Sequence, residues 1–402
     1  MGLNDTPSSE RTHIGFFGNR NAGKSSLFNA VTCQKLSVVS DVPGTTTDTV
    51  KKSMEILPLG PVVLMDTPGF DDEGALGSKR VGVSSKTLAV SDAAVLVIDA
   101  TLGMTDTDKL LISRFKEQGI PYIVVYNKID VAADYMESES KEDTIYVSAK
   151  TGENIDRLKD MLGRIVKPER TVSYVSDFVN KGDLVILVVP IDSAAPKGRL
   201  ILPEQQAIRE ILDSDGMALT VKEDALAETL YNIGIKPALV ITDSQVFEYV
   251  SRVVPEEIPL TSFSILMARY KGFLDMAIEG ARVLDQLSDG DRVLICEGCT
   301  HHRQCDDIGT VKLPRWIRNY TGKDLEFEYS SGRDFPEDVT KYNLIVHCGG
   351  CMLNEREMRY RQKCALDQEI PITNYGIAIA YMQGILKRCV EMFPDVRKEL
   401  DV

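Results

Sequence analysis

The sequence lacks any apolar run long enough to cross a membrane. Its longest apolar runs, among them VVLM, AAVLVI and LVILVV, fall far short of the roughly 20 residues that a membrane-spanning helix requires. No secretory signal pattern is present, and the match of MGLNDT to the loose Met-Gly-x-x-x-Ser/Thr acylation pattern is best explained by chance. We therefore expect a cytoplasmic protein with no membrane partner.

Basic residues are also scarce. The chain of 402 residues has 46 Lys and Arg against 60 Asp and Glu, which gives a formal net charge of -14. Nucleic-acid-binding proteins usually need a basic surface that displaces counterions from the phosphates. The acidic composition therefore argues against a nucleic-acid partner.

Cysteine and histidine are few and unevenly placed. Eight cysteines are too sparse for a disulfide scaffold, and all but Cys33 lie beyond residue 290. The stretch CEGCTHHRQC, residues 296–305, holds three of these thiols and two of the four histidines. Such a concentration indicates a metal or cluster site in a reducing compartment.

Short β-branched runs alternate with helical patterns between residues 14 and 166. The runs are IGFFG, VVLMD, AAVLVID, YIVVYN and TIYVS, and the helical patterns include SSLFNAVT and DRLKDMLGRIV. This alternation predicts a doubly wound, mainly parallel α/β sheet in a first domain at 1–168. Pro168 in the segment KPER is typical of a linker that follows a helix.

Two further α/β domains are predicted after this linker. A middle domain at 172–263 alternates LVILVVP, MALTV and ALVIT with helical patterns, and we interpret it as a packing or dimerisation domain. A third domain at 264–402 opens with one long amphipathic helix that includes Phe273 and Leu284. Its strands are expected at RVLIC, LEFEY and NLIVHC. The predicted fold class is therefore α/β with three domains.

A phosphate-binding loop follows the first predicted strand. Residues 18–25 fit G-x-x-x-x-G-K-S between the strand IGFF and the helix SSLFNAV, which is the context that this motif requires. Backbone N-H groups and the helix N-terminus favour phosphate, and the motif's lysine reaches the β- and γ-oxygens while its serine holds Mg2+. The loop residues expected to contact the nucleotide are Asn19, Asn21, Ala22, Gly23, Lys24, Ser25 and Ser26.

Two motifs are expected to act around the γ-phosphate. Asp66 and Gly69 of the DTPG motif follow the strand VVLM, so the carboxylate lies near Mg2+ and the glycine N-H near the γ-phosphate. Thr45 and Thr46 lie in the segment GTTTD, where a switch threonine reaches the metal, and Thr46 is the expected Mg2+ ligand. We predict that Lys24, Thr46 and Gly69 are the catalytic residues.

The motif NKID, residues 127–130, decides which nucleotide is bound. A carboxylate such as that of Asp130 accepts hydrogen bonds from both N1-H and the 2-amino group of guanine, whereas adenine offers an acceptor and no amino group there. GTP is therefore favoured over ATP. The residues expected to form the base pocket are Asn127, Lys128, Asp130, Ser148, Ala149 and Lys150.

These ordered motifs, over residues 12–168, resemble those of the translation-factor-like GTPases and, within them, the TrmE-Era subgroup. The resemblance implies a G domain with switch loops, in which Asn21 helps to hold a K+ ion that acts in place of an arginine finger. Phe70 stands where Ras-type enzymes have a glutamine that orients water. We therefore expect slow, potassium-stimulated GTP hydrolysis, with the acidic segment 71–73 near the water.

The cysteine motifs allow two interpretations. Cys296, Cys299, Cys348 and Cys351 form two C-x-x-C pairs, which suits a zinc site of four thiolates, although a separation of 48 residues is long for a zinc ribbon. Three thiolates with an imidazole or an open position suit an iron-sulfur cluster instead. Spacing alone leaves both open, as well as buried free thiols.

A second resemblance covers all three predicted domains. The segment C-T-H lies 45 residues before H-C-G-G-C and downstream of a TrmE-like G domain, a pattern similar to that of the HydF family of GTPases that mature iron-iron hydrogenase. The middle-domain loop PIDSAAPKGRLILPEQQ is also similar to this family. The resemblance implies a 4Fe-4S cluster held by Cys299, Cys348 and Cys351, with His301 or His347 as an exchangeable fourth ligand or a neighbour of the cluster.

The same resemblance implies a scaffold and carrier function. Such a protein, expected to be a homodimer, receives a two-iron precursor built by the radical-SAM maturases HydE and HydG and passes it to the apo iron-iron hydrogenase. The alternative is a zinc-containing, TrmE-like GTPase that acts in tRNA modification. Because that function requires a basic RNA-binding surface, the acidic composition disfavours it.

Overall fold

The chain forms two compact units, Met1–Glu169 and Arg170–Val402. The computed structural model describes residues 7–33, 49–68, 84, 86–132, 143–165, 172–191, 200–298, 307–332, 334–394 and 396. Within these residues, no helix has the length and apolar character needed to span a bilayer. The division into domains at 1–168, 172–263 and 264–402 stays a prediction.

A six-stranded sheet forms the centre of the first unit. Its strands run in the order β2-β3-β1-β4-β5-β6, and all pairs are parallel except that β2 is antiparallel to β3. The strands are β1 (Thr12–Phe17), β2 (Val50–Ile56), β3 (Gly60–Asp66), β4 (Ala93–Asp99), β5 (Tyr122–Asn127) and β6 (Thr144–Val147). The described helices are α1 (Lys24–Thr32), α2 (Asp106–Glu117) and α3 (Ile155–Ile165).

Helices cover both faces of this sheet, which explains the continuous apolar runs in its strands. Val95 and Val97 of β4 pack in the same core as residues of α1 and α3, whereas Leu96 and Ile98 pack on the other face with Phe115 of α2. Successive strand residues point to opposite faces, so a strand covered on both sides is apolar throughout. The doubly wound α/β fold predicted for this region is confirmed.

The second unit contains two four-stranded parallel sheets. One has the order β10-β9-β7-β8 and the other has the order β12-β11-β13-β14. The first sheet consists of β7 (Leu184–Val188), β8 (Met217–Val221), β9 (Leu239–Thr242) and β10 (Leu260–Ser262). The second consists of β11 (Arg292–Glu297), β12 (Glu326–Ser331), β13 (Leu344–His347) and β14 (Ile372–Asn374).

Nine described α-helices surround these two sheets. They are α4 (Leu202–Asp213), α5 (Leu226–Asn232), α6 (Phe247–Val253), α7 (Phe263–Tyr270), α8 (Leu274–Arg282), α9 (Leu313–Thr321), α10 (Glu355–Asp367), α11 (Tyr375–Met382) and α12 (Leu386–Val390). One continuous hydrophobic core extends from Tyr174 to Val396 and takes residues from both sheets. The two sheets are therefore packed as one body.

The single long helix expected from about residue 264 is wrong. The chain turns at Gly272, whose φ of +65° lies in the left-handed region that favours glycine, and this turn separates α7 from α8. Both helices pack against β14. The Asn374 side chain donates a hydrogen bond to the Ser264 carbonyl at 3.0 Å, and the Thr373 hydroxyl donates to the Ala277 carbonyl at 2.7 Å.

Candidate nucleotide and cysteine sites

The loop between β1 and α1 has the shape that a phosphate-binding loop needs. Gly18, Asn21 and Gly23 all have positive φ, at +139°, +63° and +87°. A Cβ at Gly18 would lie 2.2 Å from the Val97 carbonyl oxygen, and one at Gly23 would lie 2.3 Å from Nδ2 of Asn127. Only glycine therefore fits at both positions.

The Lys24 side chain is held by backbone carbonyls of this loop. The side chain is buried, and its ammonium donates hydrogen bonds to the carbonyls of Gly18 at 2.9 Å and Asn19 at 2.7 Å. Lys24 also begins α1, so the ammonium lies at the positive end of that helix. This placement concentrates positive charge where the motif is expected to bind phosphate.

Ser25 and Asp66 come together beside the loop. The Ser25 hydroxyl donates to Oδ2 of Asp66 at 2.7 Å, and the Asp66 side chain is fully buried at the end of β3. The parallel register pairs Phe16 with Asp66, which brings the carboxyl end of β3 level with the start of the loop. A hydroxyl and a carboxylate are the oxygen ligands that Mg2+ prefers.

Asn127 connects the phosphate loop to the expected base pocket. Its amide nitrogen donates to the Ala22 carbonyl at 3.1 Å, and its amide oxygen accepts from the Ala149 N-H at 3.0 Å. Asp130 accepts a hydrogen bond from the Ser148 hydroxyl at 2.7 Å, and the Lys150 ammonium lies 3.9 Å from its other oxygen. The loops after β1, β5 and β6 therefore meet at one end of the sheet.

Lys128 has the left-handed φ of +72° and a partly buried carboxylate partner. Its ammonium donates to Oδ2 of Asp99 at 2.6 Å, and Thr101 donates two hydrogen bonds to Oδ1. Burial by itself raises the pKa of Asp99, but the hydrogen bonds from Lys128 and Thr101 outweigh it and hold the pKa below its usual value.

Several predicted site residues lie outside the described residues. Thr45 and Thr46 belong to the segment 34–48, and Gly69, Phe70 and the acidic segment 71–73 belong to the segment 69–83. Cys299, His301 and Cys305 likewise lie in the segment 299–306. Their roles stay predictions.

The two cysteine motifs follow neighbouring strands. β11 and β13 are adjacent and parallel, with Cys296 opposite His347, and the Cys348 N-H donates to the Cys296 carbonyl at 2.8 Å. Because the carboxyl ends of parallel strands share one edge of a sheet, the motifs CEGC and HCGGC start side by side. Cys296 itself is fully buried and belongs to the hydrophobic core.

Backbone N-H groups converge on the Cys348 sulfur. Gly298, which immediately precedes Cys299, donates to Cys348 Sγ at 3.0 Å, and Gly350 donates at 3.4 Å. Burial raises the pKa of the Cys348 thiol, and it raises the pKa values of Cys296 and Cys351 to about 12. The thiolate is the form of cysteine that binds metal, and a bound cation favours loss of the thiol proton.

Both ring nitrogens of His347 have protein partners. Nε2 accepts from the Arg361 guanidinium at 2.9 Å, because arginine can only donate, and Nδ1 therefore carries the proton and donates to the Cys348 carbonyl at 2.7 Å. Burial, and then the charge of Arg361, lower the pKa of His347 to about 3, so the ring is neutral. Arg361 also pairs with Glu357 at 3.0 Å.

Among the described residues, no group of three or more His, Cys, Asp or Glu side chains forms a metal site. Those residues include Cys348 and Cys351 but exclude Cys299, which the resemblance places in the same ligand set. The two described thiols thus supply part of the expected set.

Two family models match the second unit. The Hydrogen maturase F dimerization domain matches residues 174–272, and the Hydrogen maturase F tetramerization domain matches residues 275–392. Together they span more than half of the chain. The chain belongs to the hydrogen maturase F family. This finding confirms the resemblance to HydF inferred from the motifs, and residues 13–128 of this maturase F chain match a third model, described as a 50S ribosome-binding GTPase.

Curated relatives of this maturase F chain match its G domain. The tRNA modification GTPase MnmE of Nitrosomonas europaea is 36% identical over 149 residues, which cover 36% of this chain and 32% of MnmE. GTPase Der of Kosmotoga olearia is 35% identical over 166 residues, which cover 37% of each chain. The chain spans about a third of the length of these relatives. The match therefore identifies a GTPase domain, with GTP and Mg2+ as its ligands.

A solved structure also resembles the maturase F chain. The crystal structure of Aquifex aeolicus Era bound to GDP and AlF4- is 22% identical, covers 60% of this chain and 97% of that chain, and has a TM-score of 0.35.

Sequence reasoning missed residues that support both sites of this maturase F chain. The nucleotide contact of Asn19 stays a prediction, and its side-chain amide donates to Thr105 Oγ1 at 2.7 Å and Asp108 Oδ1 at 3.3 Å in the capping box of α2. The only sequence signal for this contact is the spacing of Thr105 and Asp108, which is typical of a helix capping box. Arg361 gave a similar weak signal through its i,i+4 spacing from Glu357.

Proposed function

We propose that the protein is a GTP-hydrolysing hydrogenase maturase. In this proposal it holds a 4Fe-4S cluster on Cys299, Cys348 and Cys351, and it assembles or delivers the two-iron precursor of the iron-iron hydrogenase. The observation that carries the proposal is the hydrogen bond from the Gly298 N-H to Cys348 Sγ at 3.0 Å. Consecutive Cα atoms are about 3.8 Å apart, so the covalent bond to Gly298 limits how far Cys299 can lie from Cys348.

The described residues fit such a cluster. Two N-H groups already point at the Cys348 sulfur, and hydrogen bonds to cluster sulfurs are a usual part of iron-sulfur sites. Cys296, the fourth cysteine of a zinc site, instead lies in the hydrophobic core. When bound by three thiolates, a 4Fe-4S cluster offers one iron with an exchangeable position.

His347 serves in this proposal to orient the cysteine turn rather than to bind iron. Both of its nitrogens have protein partners, and coordination would break the hydrogen bond with either Arg361 or the Cys348 carbonyl. His301 is then the histidine left as the exchangeable ligand.

The G domain is proposed to bind GTP as its motifs indicate. Lys24 and the loop N-H groups hold the β- and γ-phosphates, Ser25 and Thr46 bind Mg2+, and Gly69 contacts the γ-phosphate. Asn21 contributes to a K+ site that stimulates hydrolysis. GTP and GDP shift the carrier only as far as each binds one arrangement of the switch segments better than the other.

The proposed partners follow from the family. They are a second copy of the chain, the maturases HydE and HydG, and the apo iron-iron hydrogenase, all in the cytoplasm. The edge strand β8 supports the homodimer, because its apolar residue Met217 is 44% exposed. Sedimentation of a Met217→Lys variant at several concentrations tests this edge. Sedimentation equal to that of the wild type at every concentration would show that β8 is not part of the dimer interface.

Anaerobic purification followed by iron, sulfide and zinc analysis and electron paramagnetic resonance tests the cluster. Wild-type protein should contain iron and sulfide, whereas Cys348→Ala and Cys351→Ala should lose most of the cluster signal. Cys33→Ala is the matched control, because this cysteine is exposed and lies in the other unit. Stoichiometric zinc without iron in the wild type would contradict the proposal.

A further inference from the structure

The turn that carries Cys348 and Cys351 packs against α7. A Cβ at Gly349 would lie 3.6 Å from Ser264 Oγ and 3.8 Å from Met267 Cβ, so α7 is in contact distance of the turn. On the other side, a Cβ at Gly350 would lie 2.6 Å from Met358 Sδ in α10. The cysteine turn is therefore packed between α7 and α10.

Lys271, the residue that ends α7, is bonded to this turn. Its side chain is only 3% exposed, and Nζ donates to the Leu353 carbonyl at 3.0 Å. The Leu353 N-H in turn donates to the Gly350 carbonyl at 3.0 Å, which closes the turn. One buried ammonium thus holds the carbonyl of Leu353, the residue whose N-H closes the turn.

The charge of Lys271 also lies near the cysteine turn, because its hydrogen-bond acceptor, Leu353, is only two residues beyond Cys351. The other buried cation near the motif, Arg361, has the Glu357 carboxylate at 3.0 Å and faces His347. Arg361 lies on α10 and contacts His347 of the motif HCGGC, whereas Lys271 follows α7 and contacts Leu353 just beyond the motif.

We propose that Lys271 is a positioning residue of the iron-sulfur centre, which fixes the turn 348–353 through the Leu353 carbonyl and places a positive charge against that turn. This inference rests on the proposed function, in which Cys348 and Cys351 are cluster ligands. It gives the segment that matches the dimerization domain, 174–272, a part in the cluster site.

A nearby positive charge favours the more negative state of a redox centre. A cluster held by thiolates gains one unit of negative charge when it accepts one electron, and net charge and hydrogen bonds set its reduction potential. Screening is weak at a buried position, so the loss of an ammonium there is felt strongly. Removal of the Lys271 charge should therefore make the cluster harder to reduce.

The test uses full-length protein reconstituted without oxygen. Lys271→Met removes the charge and the hydrogen bond, Lys271→Gln keeps a donor without charge, and Lys271→Arg keeps the charge. Lys341→Met is the control, because Lys341 is half exposed, pairs with Glu328 and precedes the amino end of β13, away from the cysteines. The midpoint potential is measured by electron paramagnetic resonance during titration with dithionite, and hydrogen exchange of the Leu353 amide is measured in the apo protein.

We expect a more negative potential for Lys271→Met and Lys271→Gln, a potential near that of the wild type for Lys271→Arg and Lys341→Met, and faster exchange at Leu353 in Lys271→Met. Equal potentials for wild type, Lys271→Met and Lys341→Met, with unchanged exchange, would overturn this inference alone. An equal shift in Lys271→Arg would overturn the role of charge. If Lys271→Met does not fold, the difference in midpoint potential between Lys271→Gln and Lys271→Arg tests the role of the charge. Wild-type protein that takes up no cluster would overturn the proposed function itself.

Discussion

Asn21 and Gly23 are two phosphate-loop residues with left-handed backbone, and each can be tested by a substitution that respects or violates that geometry. Asn21 has φ +63° and Gly23 has φ +87°. Glycine adopts such angles without cost, whereas alanine is strained there. The side chain of Asn21 can therefore be removed without disturbing the loop, but the conformation of Gly23 tolerates no added methyl group.

Asn21→Gly should abolish potassium stimulation and leave the basal rate. Glycine keeps the backbone angle of the loop, so only the side-chain oxygen proposed to bind K+ is lost. GTP hydrolysis is compared in potassium and sodium buffers at equal ionic strength, with GTP affinity measured in parallel. Equal stimulation of the variant and the wild type by potassium would show that Asn21 has only a structural role.

Gly23→Ala should weaken GTP binding by at least about tenfold, which corresponds to about 1.4 kcal/mol. The new Cβ would lie 2.3 Å from Asn127 Nδ2 and would displace the side chain that connects the loop to Ala149. Gly119→Ala is the matched control, because Gly119 has φ +59° in the same unit and no atom within 4 Å of its Cβ position. Isothermal titration with a non-hydrolysable GTP analogue gives the comparison. Similar affinities for both variants and the wild type would contradict the prediction.

The nucleotide motifs could be predicted at this scale because each is local. The phosphate loop, NKID and Ser148-Ala149-Lys150 each follow a strand that the sequence marks clearly. The partners of Asn19 could not be predicted, since Thr105 and Asp108 lie 86 and 89 residues away in the chain. The tautomer of His347 likewise depends on Arg361, which reaches it only through the packing of α10 against β13.

At the scale of elements, α10 carries a buried ion pair behind the cysteine turn. Arg361 and Glu357 are both nearly fully buried, and Arg361 also donates to the Gly332 carbonyl at 2.6 Å and to His347. Removing one member of a buried pair leaves the other charge without compensation, which is far more destabilising than loss of an exposed pair. The helix is therefore sensitive to one residue on its inner face.

Arg361→Met should lower the free energy of unfolding by about 3–5 kcal/mol. Arg361→Met combined with Glu357→Gln should recover part of this loss, because the buried Glu357 side chain is then neutral and loses less when the charge of Arg361 is absent. The control is Arg209→Met in α4, which removes an exposed i,i+4 pair with Asp213 and should change stability far less. Urea unfolding followed by circular dichroism measures all three. A loss in the double variant as large as in the single variant would contradict this explanation.

Element prediction failed where a turn residue had no periodic signal. The amphipathic pattern from residue 264 continues through Phe273 to Leu284, and one glycine was not enough to predict the break between α7 and α8. Six of the eight strands of the second unit were predicted from short runs rich in apolar or aromatic residues. The strands β10 (LTS) and β14 (ITN) were missed, because three residues with two polar side chains give no strand pattern. The assembly of the strands into two sheets around one core was not predictable, since sheet order depends on contacts that are distant in sequence.

At the scale of the whole molecule, the nucleotide motifs and the cysteine motifs lie in different units of the chain. A carrier controlled by GTP needs the nucleotide state to change how well the cargo is passed on. The free energy by which the nucleotide shifts the protein between two arrangements of its switch segments cannot exceed the difference in its binding free energy for those two arrangements. GTP hydrolysis and delivery of the cargo must therefore be measured separately.

The Lys24→Ala variant tests whether delivery of the cargo depends on GTP hydrolysis. Loss of the buried ammonium, which donates to the loop carbonyls, should abolish GTP hydrolysis, because the charge proposed to stabilise the β- and γ-phosphates is gone. If nucleotide state controls delivery, activation of apo iron-iron hydrogenase by the loaded variant should fall in proportion to the loss of hydrolysis. Lys109→Ala, at an exposed lysine that pairs with Asp106 in the same unit, should retain both activities. The cluster content of each variant is measured first, so that poor loading is not mistaken for poor delivery. Full activation by a Lys24→Ala protein that cannot hydrolyse GTP would restrict the G domain to a step before delivery, such as the release of a bound maturase.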